Sequence, residues 1–190
     1  MEINVLEEKT CFMCGEAFMA ITPVCKQCDA LNTQKQAGDL LKIMALIEKQ
    51  HTDDAVIANE SGIPVRSVKW YLHKKKADSN SAKRMGSSKP AGISITDKMY
   101  GEYMWVKAEG KVDSPNAFEL QDYLNNLIGM GFSDIILDLG GISFFCSNGI
   151  RVVLTAYKNL LEKGSFRISN PSKNVVNVLG LVNLDRMLLK

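Results

Sequence analysis

Four cysteines near the start of the chain have the spacing of metal ligands. Cys11 and Cys14 are separated by two residues, and Cys25 and Cys28 repeat this spacing ten residues later. Two residues between thiols let both sulfurs of a tight turn face one ion, and two such turns complete a tetrahedral S4 site, which suits zinc. Gly15 permits the close turn after the first pair. The spacing predicts a structural Zn²⁺ site, with a redox dithiol or an iron centre as the alternatives.

Residues 1–32, which contain these cysteines, resemble a zinc ribbon. The segment has few other apolar side chains, so we expect metal binding to supply its folding energy. No fifth ligand is evident, which predicts a closed structural site and not a catalytic one. Since the four cysteines complete the site, His51 and His73 are expected on the surface.

The rest of the composition predicts a cytoplasmic globular protein. Hydrophobic residues make up 46% of the chain and charged residues 23%, which is typical of folded domains. No apolar run approaches the roughly 18 residues of a membrane span, so no membrane contact is expected. The first ten residues, MEINVLEEKT, lack the apolar core of a secretory signal. Five cysteines, an odd number, do not suggest a disulfide framework.

The chain is predicted to be multi-domain, with a change of character at each boundary. The segments are a zinc ribbon at 1–32, an all-α helix-turn-helix at 33–77, a flexible linker at 78–91 and an α/β domain at 92–190. The net charge is +2, but residues 62–91 contain eight basic residues and one acid, Asp78. A nucleic-acid partner would be expected to meet this basic stretch.

Residues 56–76, VIANESGIPVRSVKWYLHKKK, resemble a helix-turn-helix. The residues that fit this pattern are Ala58, Gly62, Ile63, Pro64, Val68 and Leu72. Such motifs place the second helix in the DNA major groove. The analogy implies base contacts from Arg66, Ser67 and Lys69 and phosphate contacts from Lys74, Lys75 and Lys76. A homodimer is expected to supply enough phosphate contacts for affinity, and a helical domain that contacts only protein is the alternative.

The last segment alternates the patterns of strands and helices. Strands are predicted at 102–110, 134–139 and 165–169. Ser114 and Pro115 predict a helix start, as cap and first helical residue. A strand, a helix and a strand joined by short loops imply a parallel crossover.

The run IILDLGGISFFCSNGIRVVLTAYKNLLEKGSFRI, from residue 135, resembles the core of STAS domains, the family of bacterial anti-sigma factor antagonists. In that family an apolar strand, an Asp, small residues and an apolar pair precede Asp-Ser-Ser-Gly at a helix start. The residues that fit are Asp138, Gly149, Ile150, Leu154 and Gly164. The resemblance extends from about Ile93 to Leu189, and it implies a small mixed sheet with helices packed on one side.

The phosphorylation position of that family is changed in this chain. In the antagonists a kinase, which is also the anti-sigma factor, phosphorylates the second serine, whereas this chain has Asn148 there, after Cys146 and Ser147. The resemblance therefore implies that the fold is kept and the usual switch is absent, with Ser147 as an alternative acceptor. Asn148 is expected to cap the helix and to resemble the unphosphorylated, binding-competent state. Cys146 is expected to be a small buried or half-buried residue and not a redox sensor.

Two hypotheses follow for the function. The first is a bacterial regulator that binds an anti-sigma factor, a kinase-like protein or another signalling protein through its STAS domain, while the N-terminal module, which resembles small regulators of flagellar operons, tethers it to DNA or the transcription machinery. The expected contact residues are Cys146, Ser147, Asn148, Gly149 and Arg151. The second is a zinc-containing DNA-binding transcription regulator whose STAS domain dimerises or senses a ligand. A scaffold that makes only protein contacts is a third possibility. No nucleotide loop or catalytic constellation indicates an enzyme.

Overall fold

The first elements of the chain are a short strand pair and three helices. The protein is described from a computed structural model, which covers residues 8–10, 17–19, 26–48, 53–82, 92–181 and 184–188. Two antiparallel strands, β1 (Glu8–Thr10) and β2 (Ala17–Met19), pair with Lys9 opposite Phe18. The chain divides into two compact units, Met1–Tyr71 and Leu72–Lys190.

The first long helix, α1 (Lys26–Glu48), begins within the segment predicted as a zinc ribbon. Cys28 therefore lies in the first turn of a helix, whereas a ribbon would place it in a second tight turn. The predicted boundary between residues 32 and 33 lies inside α1. The other three clustered cysteines, Cys11, Cys14 and Cys25, are outside the described residues.

Two further helices follow and meet at a sharp turn. Helix α2 (Asp54–Ser61) begins at Asp53, whose carboxylate accepts a hydrogen bond from the Ala55 N–H at 2.7 Å. It ends at Gly62, which has φ +69°, a left-handed conformation that favours glycine. Helix α3 (Val65–Ala82) ends inside the stretch predicted as a linker. Apolar side chains from all three helices and the turn pack together, among them Ile43, Ile57, Ile63, Val68 and Trp70.

The second unit is built on a mixed four-stranded sheet, as predicted. Its strands are β3 (Ile93–Tyr100), β4 (Tyr103–Val112), β5 (Asp134–Phe145) and β6 (Ser165–Ser169). Their order in the sheet is β3-β4-β5-β6, with β3 antiparallel to β4 and the other neighbours parallel. The helices are α4 (Ser114–Gly129), α5 (Ser147–Leu160) and α6 (Lys173–Leu181), followed by a 3-10 turn at Asp185–Met187.

The core of this unit follows from the alternation of side chains along the strands. On β4 the buried residues recur at every second position, from Met104 to Ala108, and on β5 the run from Ile135 to Leu139 is buried throughout. A fully buried run is typical of a strand covered on both faces. Helices α4 and α5 contact each other and the sheet, and α4 buries an apolar stripe formed by Ala117, Leu120, Leu124 and Leu127.

Two strands differ from the expectations. Strand β3 was not predicted, and β5 continues through Gly140 and Gly141 to Phe145, well past the predicted end at residue 139. Asp138 consequently lies inside the strand and not at its end. None of the helices in the described part of the chain is both long and apolar enough to cross a membrane.

Candidate partner-binding surface

The second half of β5 brings the chain to the start of α5 through a closely packed path. Asp138 is only 2% exposed, and its carboxylate accepts a hydrogen bond from the Gly140 N–H at 2.9 Å. Gly141 lies so near Glu109 on β4 that an added Cβ would be 2.6 Å from that residue's Cγ. Gly141 thus lets β5 run on beside β4 where a larger side chain would not fit. Asp138 therefore supports the backbone and is not part of a surface.

Helix α5 begins without a side-chain cap. The N-cap residue is Cys146, which is half-buried and makes no capping hydrogen bond with its side chain. Its own N–H donates to the Val112 carbonyl at 2.9 Å, so the end of β4 fixes where the helix starts. The first N–H groups of α5 consequently have no side-chain acceptor from the N-cap residue, although the helix dipole favours negative charge there.

Asn148 does not cap the helix, and the expectation that it would do so is wrong. It is the second residue of α5 and lies two residues after the N-cap residue, Cys146. Its side-chain Nδ2 instead donates to the Ser114 Oγ at 3.2 Å. Ser114 is the first residue of α4, whose N-cap is Asp113 and not Ser114 as predicted. The amide of Asn148 therefore joins the starts of the two helices.

Gly149 is required at its position by packing. An added Cβ would lie 2.8 Å from Val112 Cγ1 and 3.0 Å from the Phe145 ring. These distances are shorter than real Cβ contacts, so a larger residue would push the helix start away from the sheet. The Ser147-Asn148-Gly149 sequence thus places one exposed, one half-exposed and one buried residue in succession. Arg151 is also exposed.

Two aromatic side chains that the sequence reasoning did not single out are exposed on α4 and at the end of β5. Phe118, on the same helix as Ser114 and four residues later, is 62% exposed, and residues four apart share one face of a helix. Phe144, two residues before the N-cap of α5, is 53% exposed. Aromatic side chains are among the residue types enriched in protein interfaces. The alternation of β5 would have predicted an outward Phe144 had the strand been extended past its glycines.

The residues predicted to contact DNA are distributed unevenly on α3. Ser67 is only 4% exposed and faces the core, so it is not available to a base edge. Arg66 and Lys69 are partly exposed, and Lys75 is exposed. Lys74 forms an ion pair with Asp97 of β3, with 3.2 Å between Nζ and Oδ1. The side chain of Lys76 is outside the described part of the chain. His73 is exposed, as expected.

The comparison with known protein families now identifies the second unit. The STAS domain model matches residues 94–190, about half of the chain. The chain belongs to the STAS-domain family. The match covers all four strands of the mixed sheet and the surface around Asn148. It does not extend to the helices α1 to α3, and no group of three or more potential metal ligands occurs among the described residues.

Several solved structures are each similar to about half of this chain. An anti-sigma factor antagonist from Mycobacterium paratuberculosis is 19% identical, with 54% of this chain and 87% of that chain covered and a TM-score of 0.48. The Bacillus cell fate determinant SpoIIAA in its phosphorylated form is 21% identical, with 50% and 89% covered and a TM-score of 0.46. An anti-sigma-factor antagonist domain protein from Planctomyces limnophilus is 17% identical, with 53% and 88% covered and a TM-score of 0.42.

Proposed function

We propose that this STAS-family chain is a regulatory protein that binds a protein partner at the surface formed by the end of β5 and the starts of α4 and α5. This surface is called the α4–α5 surface below. The observation that carries the proposal is the hydrogen bond between Asn148 and Ser114, which joins the starts of α5 and α4, with the exposed Phe118 on the same face of α4 as Ser114. The partner class that the resemblance suggests is an anti-sigma factor of the kinase type.

The chemistry of the surface supports a partner that presents acidic and apolar groups. The start of α5 has no capping side chain, so its N–H groups and the helix dipole favour an incoming carboxylate. Arg151 is exposed one turn into the same helix. The exposed side chain of Phe118 supplies aromatic contact area of the kind that often contributes most to binding at protein interfaces. A negative charge added on this side would repel such a partner.

The absence of a phosphoacceptor at residue 148 bears on how partner binding would be regulated. The amide of Asn148 cannot accept a phosphoryl group, and it remains uncharged at every physiological pH. We therefore expect the chain to stay in the binding-competent state when a kinase is active. Regulation would then act through the amount of protein, through Ser147, or through the N-terminal unit.

A charge series at residue 148 tests this surface. The partner is first captured from the native cells with full-length protein as bait under nuclease treatment, and identified by mass spectrometry. Asn148→Asp and Asn148→Glu are expected to weaken binding of the captured partner by about tenfold or more, since they add a charge that repels acidic groups. Asn148→Ala is expected to change the affinity little. Titration calorimetry with purified partner measures the difference.

A matched control separates binding from folding. Asn125→Asp makes the same exchange on the exposed side of α4, away from the helix starts, and should bind like the wild type. An aspartate near the start of α5 interacts favourably with the helix dipole and stabilises the helix. The Asn148→Asp protein should therefore unfold at the same temperature as the wild type or higher. Equal partner affinity for Asn148→Asp and the wild type would show that the contact lies elsewhere.

A second candidate function is nucleic-acid binding by helices α2 and α3. The observation that favours it is the pair α2 and α3, joined by a turn at Gly62 and followed by basic residues on α3. Partly or fully exposed side chains along α3 include Arg66, Lys69 and His73. These residues differ from the predicted base-contacting residues because Ser67 is buried and is not among them. The second function is compatible with the first, since the two would use different elements, α2 and α3 for nucleic acid and the starts of α4 and α5 for a protein partner.

The salt dependence of DNA affinity tests this candidate. Binding of full-length protein to duplex DNA is measured between about 50 and 200 mM salt. If Lys74, Lys75 and Lys76 contact phosphates, replacing all three with Gln should flatten the slope of log K against log salt by up to about 2.7, since each contact contributes about 0.9. An unchanged slope would show that these lysines do not contact phosphates. If the protein bound no DNA at all, the proposed nucleic-acid function would be wrong.

The zinc site is proposed on the chemistry of its donors. Two pairs of thiols with the same spacing suit Zn²⁺. Cys28 lies in the first turn of α1, where the helix dipole stabilises the thiolate that a metal requires. Cys11 and Cys14 belong to the segment that connects the paired strands β1 and β2. When bound, the ion would supply structural cross-linking of the segment and no catalysis.

A further inference from the structure

An ion pair in the second unit involves one of the lysines proposed to bind phosphate. The Lys74 ammonium is 3.2 Å from the Asp97 Oδ1 and also 3.2 Å from the Asp97 main-chain carbonyl oxygen. Lys74 is on α3, and Asp97 is on β3, an outer strand of the four-stranded sheet. The lysine side chain is 45% exposed, whereas that of Asp97 is only 9% exposed. The carboxylate is thus held inside the unit, and the lysine reaches it from the surface.

A second contact fixes the carboxylate. The hydroxyl of Tyr123, on α4, donates a hydrogen bond to Asp97. Burial, together with the nearby negative charge of Asp97, raises the pKa of Tyr123 well above its ordinary value, so the tyrosine stays a donor throughout the physiological range. Asp97 is therefore held in one place by α4 and offers its charge to Lys74.

This arrangement places two acceptors in competition for one ammonium group. A lysine that binds a nucleic-acid phosphate must leave a carboxylate that it already contacts, or share its donors at a cost in Coulomb energy. We propose that Asp97 is an intramolecular competitor for nucleic-acid phosphate at Lys74 and lowers the DNA affinity of the resting protein. The inference rests on the proposed nucleic-acid binding by α2 and α3. It is independent of the partner bound at the α4–α5 surface.

The expected effect is modest because the lysine is half-exposed. Ion pairs of this exposure contribute up to about 1 kcal/mol, which corresponds to about fivefold in affinity at most. Removing the competitor should therefore tighten DNA binding by about two- to fivefold. The direction is informative, because most substitutions of a buried carboxylate would be expected to weaken a function.

A double-mutant cycle isolates the competition from general electrostatics. DNA affinity is measured by fluorescence anisotropy at about 100 mM salt for the full-length wild type, Asp97→Asn, Lys74→Gln and the double variant. Asp97→Asn should bind about two- to fivefold more tightly than the wild type, and it should have no effect in the Lys74→Gln background. Glu119→Gln removes a negative charge from an exposed position on α4 and measures the effect of net charge alone.

Each outcome has a separate meaning. If Asp97→Asn tightens binding equally with and without Lys74, or no more than Glu119→Gln does, the competition is overturned while nucleic-acid binding stands. If none of the proteins binds DNA, the nucleic-acid function and the competition are both overturned. Asp97→Ala serves as a second variant if Asp97→Asn does not fold, as judged by circular dichroism, and the same tightening is expected.

Discussion

The first and second units of the chain bury apolar side chains on different scales. In the described part of the first unit, the buried apolar residues come from three helices and one turn, with Ile43 on α1 and Val68 on α3 as examples. In the second unit, buried side chains come from every strand and from α4, α5 and α6. The second unit thus has a core of ordinary size, and the first has a small one. Small cores of this kind commonly depend on a metal or a partner for stability.

Glycines show the same difference at the level of single atoms. A Cβ added to Gly38, in the middle of α1, would have no neighbour within 4 Å, whereas one added to Gly149 would collide with Val112. The geometry of the second unit is therefore fixed by close packing. That of the described first unit depends more on helix propensity, on the Asp53 cap and on the turn at Gly62. The comparison teaches that one substitution can have opposite effects in the two units.

The largest expected effect comes from metal removal. A strong chelator should remove the ordered structure of residues 1–32 and lower the stability of the first unit, while residues 92–190 remain folded, because zinc binding contributes about 10–16 kcal/mol in small zinc domains. The chain has two tryptophans, Trp70 in the first unit and Trp105 in the second. Tryptophan fluorescence during denaturation distinguishes the units, because the Trp105→Phe protein keeps only Trp70 as a probe of the first unit and the Trp70→Phe protein keeps only Trp105 as a probe of the second.

The control for chelation is a ligand variant. Cys28→Ser should reproduce the loss in the first unit without chelator, and Cys146→Ser should leave that unit unchanged. Zinc content of the purified protein is measured in parallel. Identical hydrogen exchange in residues 1–32 with and without chelator would contradict the metal-dependent fold and would make the small core sufficient by itself.

An intermediate effect is expected at Gly149. Gly149→Ala should lower the free energy of unfolding of the second unit by about 1–3 kcal/mol, since the added methyl group collides with Val112 and Phe145, although alanine recovers part of this through its helix propensity. Denaturant unfolding with Trp105 as the probe measures the change. Gly129→Ala, at the end of α4 where an added Cβ meets nothing, is the matched control. Equal stability of both variants would refute the close packing.

The smallest effect is expected at Gly38, with the opposite sign. Gly38→Ala should raise the stability of the first unit by about 0.5–1 kcal/mol, because alanine restricts the unfolded chain and favours the helix. Unfolding with Trp70 as the probe measures it. Ala45→Gly, on the same helix, should lower the stability by a similar amount. A loss of stability in Gly38→Ala would mean that this face of α1 is approached closely by another molecule.

Local patterns predicted those elements whose burial is periodic along the chain. The strand predicted at 165–169 is β6, Ser165–Ser169, and the apolar stripe of α4 is buried as expected. Strand β3 was missed because Asp97 and Lys98 interrupt its apolar residues, and the strand exists through pairing with β4. The length of β5 was underestimated since glycines disfavour strands locally, whereas here Gly141 permits a close approach to Glu109.

The sequence predicted that the candidate residues lie at the start of a helix, but not which side chains they contact. The STAS resemblance predicted a helix start at residues 146–151, and α5 begins there. The role of Asn148 could not be derived, because the position of the N-cap depends on where β4 and β5 end, and a shift of two residues turns a cap into a bridge to Ser114. The burial of Ser67 was predictable, since it shares a helix face with the buried Tyr71 four residues later.

The strand order of the second unit has a consequence for how the protein is made. Because β3, β4, β5 and β6 occur in the sheet in the order of their synthesis, each new strand is added at the edge left by the one before. The two-residue turn between Tyr100 and Tyr103 lets the β3–β4 hairpin form from local contacts, which form fastest. Nascent chains can therefore assemble this sheet stepwise at the ribosome, with no strand inserted between two that are already paired.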